Sequence, residues 1–508
     1  MNHQLNHYYW RFYSFDLSRK QAVRVFSEAS FLCLKLSFKL SLKLFSNVPM
    51  ALAPLLLLPY SLDSQALSAH TSNVIYGTGP YLTFDNGVTK ARSIENLLSI
   101  KLSNGQEITP QNNLSTPTNP IELPNVGERF TDIGIMIPSS TNSVSLIDLV
   151  TTYGYWGDDD GDGDLTASGT LTVNITDRNG KVINNRSNEL DVCSAPYKVV
   201  LTSNGGRLTT RYGEPKDSYF GSDAATYYIT PKSSPVICFV KPSLRYGKDY
   251  SYTGGSNYKG PDNIWDPTNG FIPQSTSYAT YDSNFPTTGA NGLYFDLEVR
   301  GGDGKLTWAP VTHEGITASI SIPPTRSSIN TSSVRVTLKG PEASSQIHNN
   351  NPSQISQPVL PQTFELIGRD NSGNEVKYGF VLQKWFVNRG RVTDNPSNQT
   401  AWCNNIGYRI IEVKDVTNAI CSGSSIGSCQ GIVSAMPSSI GNYYQRRIGA
   451  GLFTEWGYMK NYKNSNFFAD YYWTGDATGN KKFKVHSNSG YISYSYTSPN
   501  RHGLCVSP

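Results

Sequence analysis

Several hallmarks of membrane proteins and metalloenzymes are missing from this chain of 508 residues. Past residue 66 no apolar run reaches the ~20 residues that a membrane-spanning helix needs. No series of alternating strands of about ten residues marks an outer-membrane barrel either. No two cysteines form a Cys-x-x-Cys pair, and the five histidines beyond residue 66 are scattered, which argues against zinc. Charge is scarce, at 16% of residues. The formal net charge of +4 misleads, because residues 1–66 hold seven bases (Arg11, Arg19, Lys20, Arg24, Lys35, Lys39, Lys43) against three acids (Asp16, Glu28, Asp63). Without that segment, 36 basic and 36 acidic residues remain. A neutral remainder offers no electrostatic footprint for nucleic acid, which is set aside as a partner. Leu-rich helical periodicity is scarce too, whereas Tyr (31) and Gly (44) abound. That balance suits an all-β secreted protein better than a helical or α/β one.

The length allows two to four domains of about 100–200 residues. Residues 1–66 read as an export signal with a long basic leader. Ala51 to Tyr60 form its apolar core, and Ser64-Gln65-Ala66 fits small-x-small cleavage, with Ala69 as a second cut. A peripheral amphipathic helix, or a true start at Met50, is the competing reading. Cysteine usage agrees with export: Cys33 lies in the leader, leaving Cys193, Cys238, Cys403, Cys421, Cys429 and Cys505, an even set suited to disulfides.

Residues 67–246 read as a first β domain. Leu171, Val173 and Ile175 alternate with polar residues before the turn Asp177-Arg178-Asn179-Gly180. Tyr197 to Leu201 leads into Asn204-Gly205-Gly206 and out through Leu208, and Thr109 to Pro124 reads as a surface loop. The same domain carries Asp158-Asp159-Asp160-Gly161-Asp162-Gly163-Asp164-Leu165-Thr166. Asp158, Asp160, Asp162, Asp164 and Thr166 put oxygen ligands at alternate positions, as in the first part of a calcium loop. Carboxylates this crowded repel unless a cation lies among them, so calcium is the expected cofactor. Gly169 stands where the bidentate Glu of a full loop belongs, which implies a weaker site or one completed elsewhere. A solvated acidic turn is the bland alternative.

Residues 247–390 form a second unit, opening with a Gly-, Ser-, Tyr- and Pro-rich linker (Tyr246 to Gly292). Leu293, Phe295, Leu297 and Val299 face one way, and Tyr294, Asp296, Glu298 and Arg300 the other, before a turn at 301–304. Ile316 to Ile322, then Val334, Val336 and Leu338, then Phe364 to Ile367 and Tyr378 to Val387 repeat the pattern. Strands at this spacing predict an immunoglobulin-like sandwich.

Residues 391–508 differ in texture. Pro396 suits a first helical turn, Trp402, Cys403 and Ile406 share a face, and Gly407 can end the helix. A short strand (Tyr408 to Ile411) follows. Val413, Val416, Ala419 and Ile420 then recur at helical spacing. Aromatic, Gly-rich blocks come next, and the end reads as a hairpin: Phe483 and Val485, a turn at Asn488-Ser489-Gly490, and a return through Tyr491 to Tyr496. Trp385 to Gly390, Trp402-Cys403 with Gly407 to Arg409, Asn442 to Arg446, Gly451 to Met459, Tyr472-Trp473-Thr474 and Cys505 to Pro508 together resemble the tip domain of intimin/invasin-type bacterial adhesins, in particular enterobacterial adhesion-domain proteins. The likeness continues upstream through Asn284 to Asp296 as far as Pro196-Tyr197. It implies a mainly β chain of two β-sandwich (Ig-like) domains followed by a C-terminal α+β C-type lectin-like domain. By position, Cys193 pairs with Cys238 inside one β domain, Cys403 with Cys505 across the lectin-like domain, and Cys421 with Cys429 as a local loop.

What the resemblance implies for function is extracellular binding rather than catalysis. The chain is expected to be a secreted or surface-associated adhesin whose tip recognises a host-surface or matrix glycoprotein or glycan. Intimin-type adhesins carry their own outer-membrane barrel, so a separate barrel exporter, or a released modulator that binds such a barrel, is the alternative. Gly423-Ser424-Ser425-Ile426-Gly427 matches G-x-S-x-G, but it lies between two cysteines without the strand and helix a hydrolase elbow needs. His486 and His502 are downstream with nothing to place them beside Ser425, and hydrolysis is the least favoured reading. The paired sugar motifs of calcium-dependent lectins are absent from the tip. Glu455-Trp456 and Trp473 to Asp476 read as scaffold, and Arg446-Arg447 as a solvated pair that could otherwise meet acidic glycans.

Overall fold

The computed structural model describes residues 76–161, 163–248, 257–302, 306–323, 333–422 and 426–508. The export segment with Cys33, together with Asp162, Asp303, Gly304, Ser424 and Ser425, lies outside the described residues. Among the described residues no helix is long and apolar enough to cross a membrane. The fold is mostly β, arranged in several sheets.

The first unit is built on a five-stranded sheet in the order Ile121–Val126, Asp217–Lys232, Tyr197–Thr209, Thr166–Thr176, Ser143–Ser145. Alternation decides its faces: Leu171, Val173, Ile175, Val199, Leu201, Tyr227 and Ile229 are all buried. Their face is closed by the short helices Ile94–Leu97 and Leu146–Thr151 and by two small ribbons. Asn204-Gly205-Gly206 does not turn the chain. It sits inside one long strand, where Gly205 at φ +87 lies at the extra residue by which the pairing with the Thr166–Thr176 strand shifts register between Gly169 and Leu171. Only glycine adopts that backbone cheaply, so the pair marks a bulge rather than a hairpin. The expected Thr109–Pro124 loop likewise ends early, because Ile121 and Glu122 pair in parallel with Ile229 and Thr230.

The second unit is a two-sheet sandwich. One sheet runs Trp265–Asp266, Gly270–Phe271, Val236–Lys241, Tyr294–Arg300, Val334–Lys339, Ile316–Ser321, Val311–His313, and the other runs Thr307–Trp308, Gln362–Arg369, Glu375–Leu382. Phe295, Leu297, Val336 and Leu338 belong to one sheet, Phe364, Leu366 and Phe380 to the other, and all are fully buried in one core. The Phe295 and Phe380 rings lie 5.8 Å apart, edge to face.

The chain then changes sheets within one apolar run. Glu375–Leu382 stays in the sandwich, and Lys384–Asp394 enters a mixed C-terminal sheet ordered Thr288–Ala290, Lys384–Asp394, Arg501–Val506, Tyr471–Thr478, Lys481–His486, Ile492–Tyr496. Helix Pro396–Asn405 starts on Asn395, whose side chain accepts from the Asn398 amide at 2.9 Å, and ends before Gly407 at φ +88. Its buried face includes Trp402 and Cys403. Cys403, within this helix, is bonded to Cys505 on the last strand with 5.4 Å between Cα atoms, and the strands Tyr471–Thr478, Lys481–His486 and Ile492–Tyr496 lie between them in sequence. The second helical run is short, Val413–Val416, because Thr417 turns extended at φ −146.

Candidate functional site

Two clusters of buried charged residues, only the first of them ion-paired, fix how the units meet. The Cys193–Cys238 bridge does not lie inside one β domain, as position had implied. Cys193 sits in the turn Val192–Ser194 of the first unit, and Cys238 on the strand Val236–Lys241 of the second sandwich. Beside it Glu298, 2% exposed, meets Arg178 and Arg300 at 2.8 Å each, and Lys241. Burial raises the Glu298 carboxyl, but Lys241, then Arg178 and Arg300, bring it down to about 2. Arg300 also donates to the Ala195 carbonyl at 2.6 Å. Glu298 and Arg300, expected on a polar outer face, are therefore covered by the first unit.

At the other end of the sandwich Glu455 is fully buried without an ionic partner. It accepts from the Thr287 amide (3.1 Å) and hydroxyl (2.9 Å), the Thr288 amide (3.0 Å) and hydroxyl, and the Gly449 amide (2.9 Å). Burial outweighs these donors and holds its pKa above the ordinary value. Arg446 is also fully buried, contrary to the expected solvated pair. Its guanidinium lies 4.6 Å over Trp265 and donates to the carbonyls of Ser243, Arg245 (3.1 Å), Tyr246 (3.2 Å) and Glu455 (2.8 Å). It cannot meet an acidic glycan. Trp402, Trp456 and Trp473 are buried as expected, with the Trp456 indole donating to the Thr288 carbonyl at 2.9 Å.

What these joints present outward is the loop Gly431–Gly441, which follows the Cys421–Cys429 bridge. Three apolar side chains stand out on it: Val433 (70% exposed), Met436 (72%) and Ile440 (65%). Its base is held by buried polar groups. The Asn418 side chain donates to the Pro437 and Gln445 carbonyls at 2.9 and 3.0 Å and accepts from the Gln445 amide at 3.1 Å. The Ser439 amide donates to the Asn418 carbonyl, and Asn442 exchanges two bonds of 2.9 Å with the Ile492 backbone. A loop tied down this way keeps apolar residues in water that a flexible loop would fold inward, and such exposure marks a contact surface. Sequence reading passed over it. The signal was apolar residues without period between glycines, with Pro437 among them.

The acidic loop offers less. Among the expected ligands, Asp160 and Asp164 are exposed, Asp164 lies 3.6 Å from Arg211, and the Thr166 hydroxyl donates to the Thr209 carbonyl at 3.3 Å. Asp158 is half-buried, and Asp162 is outside the described residues. Asp159, not an expected ligand, is bound by Lys90 (2.7 Å), Arg92 (2.8 Å) and the Tyr81 hydroxyl (3.0 Å). Its pKa is held at about 2, the Lys90 bond being the main cause. Bases thus supply some of the compensation a cation would give. Among the described residues no three His, Cys, Asp or Glu side chains converge as metal ligands. Burial lowers the pKa of both His486 and His502, and His502 shares a 2.9 Å hydrogen bond with the Gly390 carbonyl.

No protein-family model matches the chain, and no curated protein matches it. Invasin and intimin are among its structural neighbours. Invasin, described as a bacterial integrin-binding protein, is 12% identical with a TM-score of 0.30, and the match covers 69% of this chain and 52% of invasin. The chain thus spans about half the length of that relative. The C-terminal 282-residue fragment of intimin, solved with the intimin-binding domain of its translocated receptor, is 10% identical with a TM-score of 0.29, covering 68% of this chain and 99% of the fragment. Intimin-190 from enteropathogenic E. coli is 13% identical with a TM-score of 0.24, covering 44% and 90% respectively.

Proposed function

We propose that this chain is a secreted or surface-associated bacterial adhesin whose C-terminal, lectin-like domain grips a host-surface or matrix protein through the loop Gly431–Gly441. The observation that carries the reading is that Val433, Met436 and Ile440 are held in solvent on a hydrogen-bonded base. Full burial of such a side chain contributes about 1.5–3 kcal/mol. At the exposures quoted, a partner that covers one gains roughly two-thirds of that, about 1–2 kcal/mol. All three therefore supply about 3–6 kcal/mol before the losses of association, enough to anchor an interface with an apolar pocket. The likeness to the tip of intimin/invasin-type adhesins points to the same end of the chain, and invasin and intimin are themselves described with protein partners.

The test is binding of the exported full chain to cultured host cells and to a panel of matrix proteins, beside a Val433→Asp/Ile440→Asp variant. The native chain is expected to bind, and the variant to lose about a hundredfold in affinity with an unchanged melting temperature. Equal binding by the variant would remove the loop from the reading. Failure to bind any host surface, with an outer-membrane barrel protein co-purifying instead, would replace adhesion by the modulator alternative.

A further inference from the structure

A cleft of about 350 Å³ opens where the sandwich meets the C-terminal unit. One wall is the 342–347 segment that follows the sandwich strand Val334–Lys339, and the other is formed by Phe386–Arg391 and Asn464–Phe468. Its lining is unusual in carrying four asparagines, Asn291, Asn388, Asn464 and Asn466, together with two phenylalanines, of which Phe386 is buried in the wall and Phe468 is exposed. Two of the amides help to build the walls. Asn388 donates to the Ser465 carbonyl at 3.1 Å and accepts from the Gly390 amide at 3.0 Å, and Asn291 accepts from the Gly340 amide at 3.2 Å. The other two, Asn464 and Asn466, are exposed at the rim, and their side chains make no intramolecular hydrogen bond among the described residues.

The rim is fixed. Asn466 lies in the left-handed region at φ +55, and the Asn464 carbonyl is pressed so close to Gly292 that a Cβ there would stand 2.6 Å from it. Phe468 is 39% exposed, and one face of its ring is stacked on His502, with centroids 5.0 Å apart and planes at 7°. The exposed ring area therefore belongs to its other face and edge. Arg391, 3.1 Å from His348, and Glu342 give the cleft one charge of each sign, so it has no net preference for an ion.

A ligand that fits must be neutral, rich in neighbouring donors and acceptors, and apolar on one face. An amide presents a donor and an acceptor side by side, which matches vicinal hydroxyls. An aromatic face takes the C–H side of a pyranose ring without a desolvation loss. The volume is at the small end of the ~300–1,000 Å³ range of ligand sites, room for one or two rings. We propose that this cleft binds a neutral mono- or disaccharide unit of a glycan, with Phe468 as the stacking platform and Asn464 and Asn466 as the hydroxyl readers. The site shares no residue with the loop Gly431–Gly441 and stands or falls separately from it.

The test is saturation-transfer NMR on the full chain with two sets of probes. Lactose and N-acetyllactosamine represent host glycoproteins, and neutral oligosaccharides released from bacterial surface polysaccharide represent a bacterial source. Signal from at least one probe is expected. It should weaken about tenfold or more in Phe468→Ala and in Asn466→Ala, and persist in Val433→Asp/Ile440→Asp. The responding set identifies the source. Asn464→Ala, a change at an exposed side chain, serves if the Phe468 variant does not fold. No signal from any probe, or equal signal in the folded cleft variants, would overturn the proposal.

Discussion

Replacing Glu455 with Gln isolates the joint between the sandwich and the C-terminal unit. Every donor to the native carboxylate is neutral: the Thr287 and Thr288 amides and hydroxyls and the Gly449 amide. Glutamine keeps the shape but turns one acceptor oxygen into a donor. Oε2 accepts from the Thr288 amide and Oε1 from the Gly449 amide, so either placement sets an NH2 against a backbone N–H. An unsatisfied buried donor costs about 1–3 kcal/mol. Against this, the neutral amide escapes the burial that raises the carboxyl. That relief carries a definite pH sign. Because the folded pKa is raised, the contribution of Glu455 is fully present below the ordinary carboxyl value of ~4.3 and is lost as pH rises through the folded value. Glutamine has no such term. The variant is therefore expected to be less stable at neutral pH by the part of that cost of about 1–3 kcal/mol which this relief leaves, and the gap should widen toward the full cost on acidification. Urea unfolding of the full chain at a series of pH values, read at constant m, measures both. A variant at least as stable as the native chain at neutral pH, or a gap that narrows in acid, would refute the reasoning.

The other joint titrates with the opposite sign. Glu298 is held at about 2, so its contribution, of order 3 kcal/mol, is present above ~4.3 and lost as pH falls toward the folded value. Glu298→Gln should flatten acid unfolding across that window, and an unchanged acid slope would discount the cluster. Among the disulfides, loop closure ranks Cys403–Cys505 (separation 102) above Cys193–Cys238 (45) and Cys421–Cys429 (8), at about 4.7, 4 and 2.5 kcal/mol. Pairwise replacement by Ala should lower the denaturation midpoint in that order, and a larger loss from the shortest loop would upset it. Calcium at Asp158–Thr166 is a proposal from ligand order alone. At ten times its Kd the ion should stabilise chelator-treated protein by about 1.4 kcal/mol, visible as a raised melting temperature. No shift, or the same shift in Asp160→Asn/Asp164→Asn, would discard it.

Most strands were legible because one face of each is in a core, as with Leu171, Val173 and Ile175 or Phe295, Leu297 and Val299. What alternation cannot carry is the identity of the neighbour. Tyr378 to Val387 reads as one segment, since Tyr378, Phe380, Leu382 and Trp385 are all buried, yet the chain leaves one sheet for another between Leu382 and Lys384. Cys238 was grouped with the first domain because the Gly- and Tyr-rich stretch after Tyr246 looked like the break. The sandwich in fact begins earlier, with Val236–Lys241. Alternation and the usual exposure of charge put Glu298, Arg300 and Arg446 in solvent. Each is buried by a second unit, and a period of two or 3.6 reports only the first core a side chain avoids. The apolar loop escaped for the opposite reason. Without period, Val433, Met436 and Ile440 had no assigned face at all.

The two joints also differ in what they do to the angle between units. Apolar contacts tolerate sliding, whereas hydrogen bonds weaken steeply away from their preferred geometry. Glu298 sits among three cations that approach as point or planar charges, and the neighbouring Cys193–Cys238 bridge limits separation whatever the ions do. Glu455 has no such bridge beside it. The direction of the C-terminal unit rests on fixed backbone donors at Thr287 and Thr288, and on the Ser243, Arg245 and Tyr246 carbonyls around Arg446. A binding loop aimed by a rigid joint loses less freedom on contact, so its apolar side chains convert more of their burial into affinity. Loosening Glu455 should therefore weaken recognition at the loop Gly431–Gly441 even though the two share no residue. That link is broken if Glu455→Gln, once shown to be destabilised, binds its partner with native affinity.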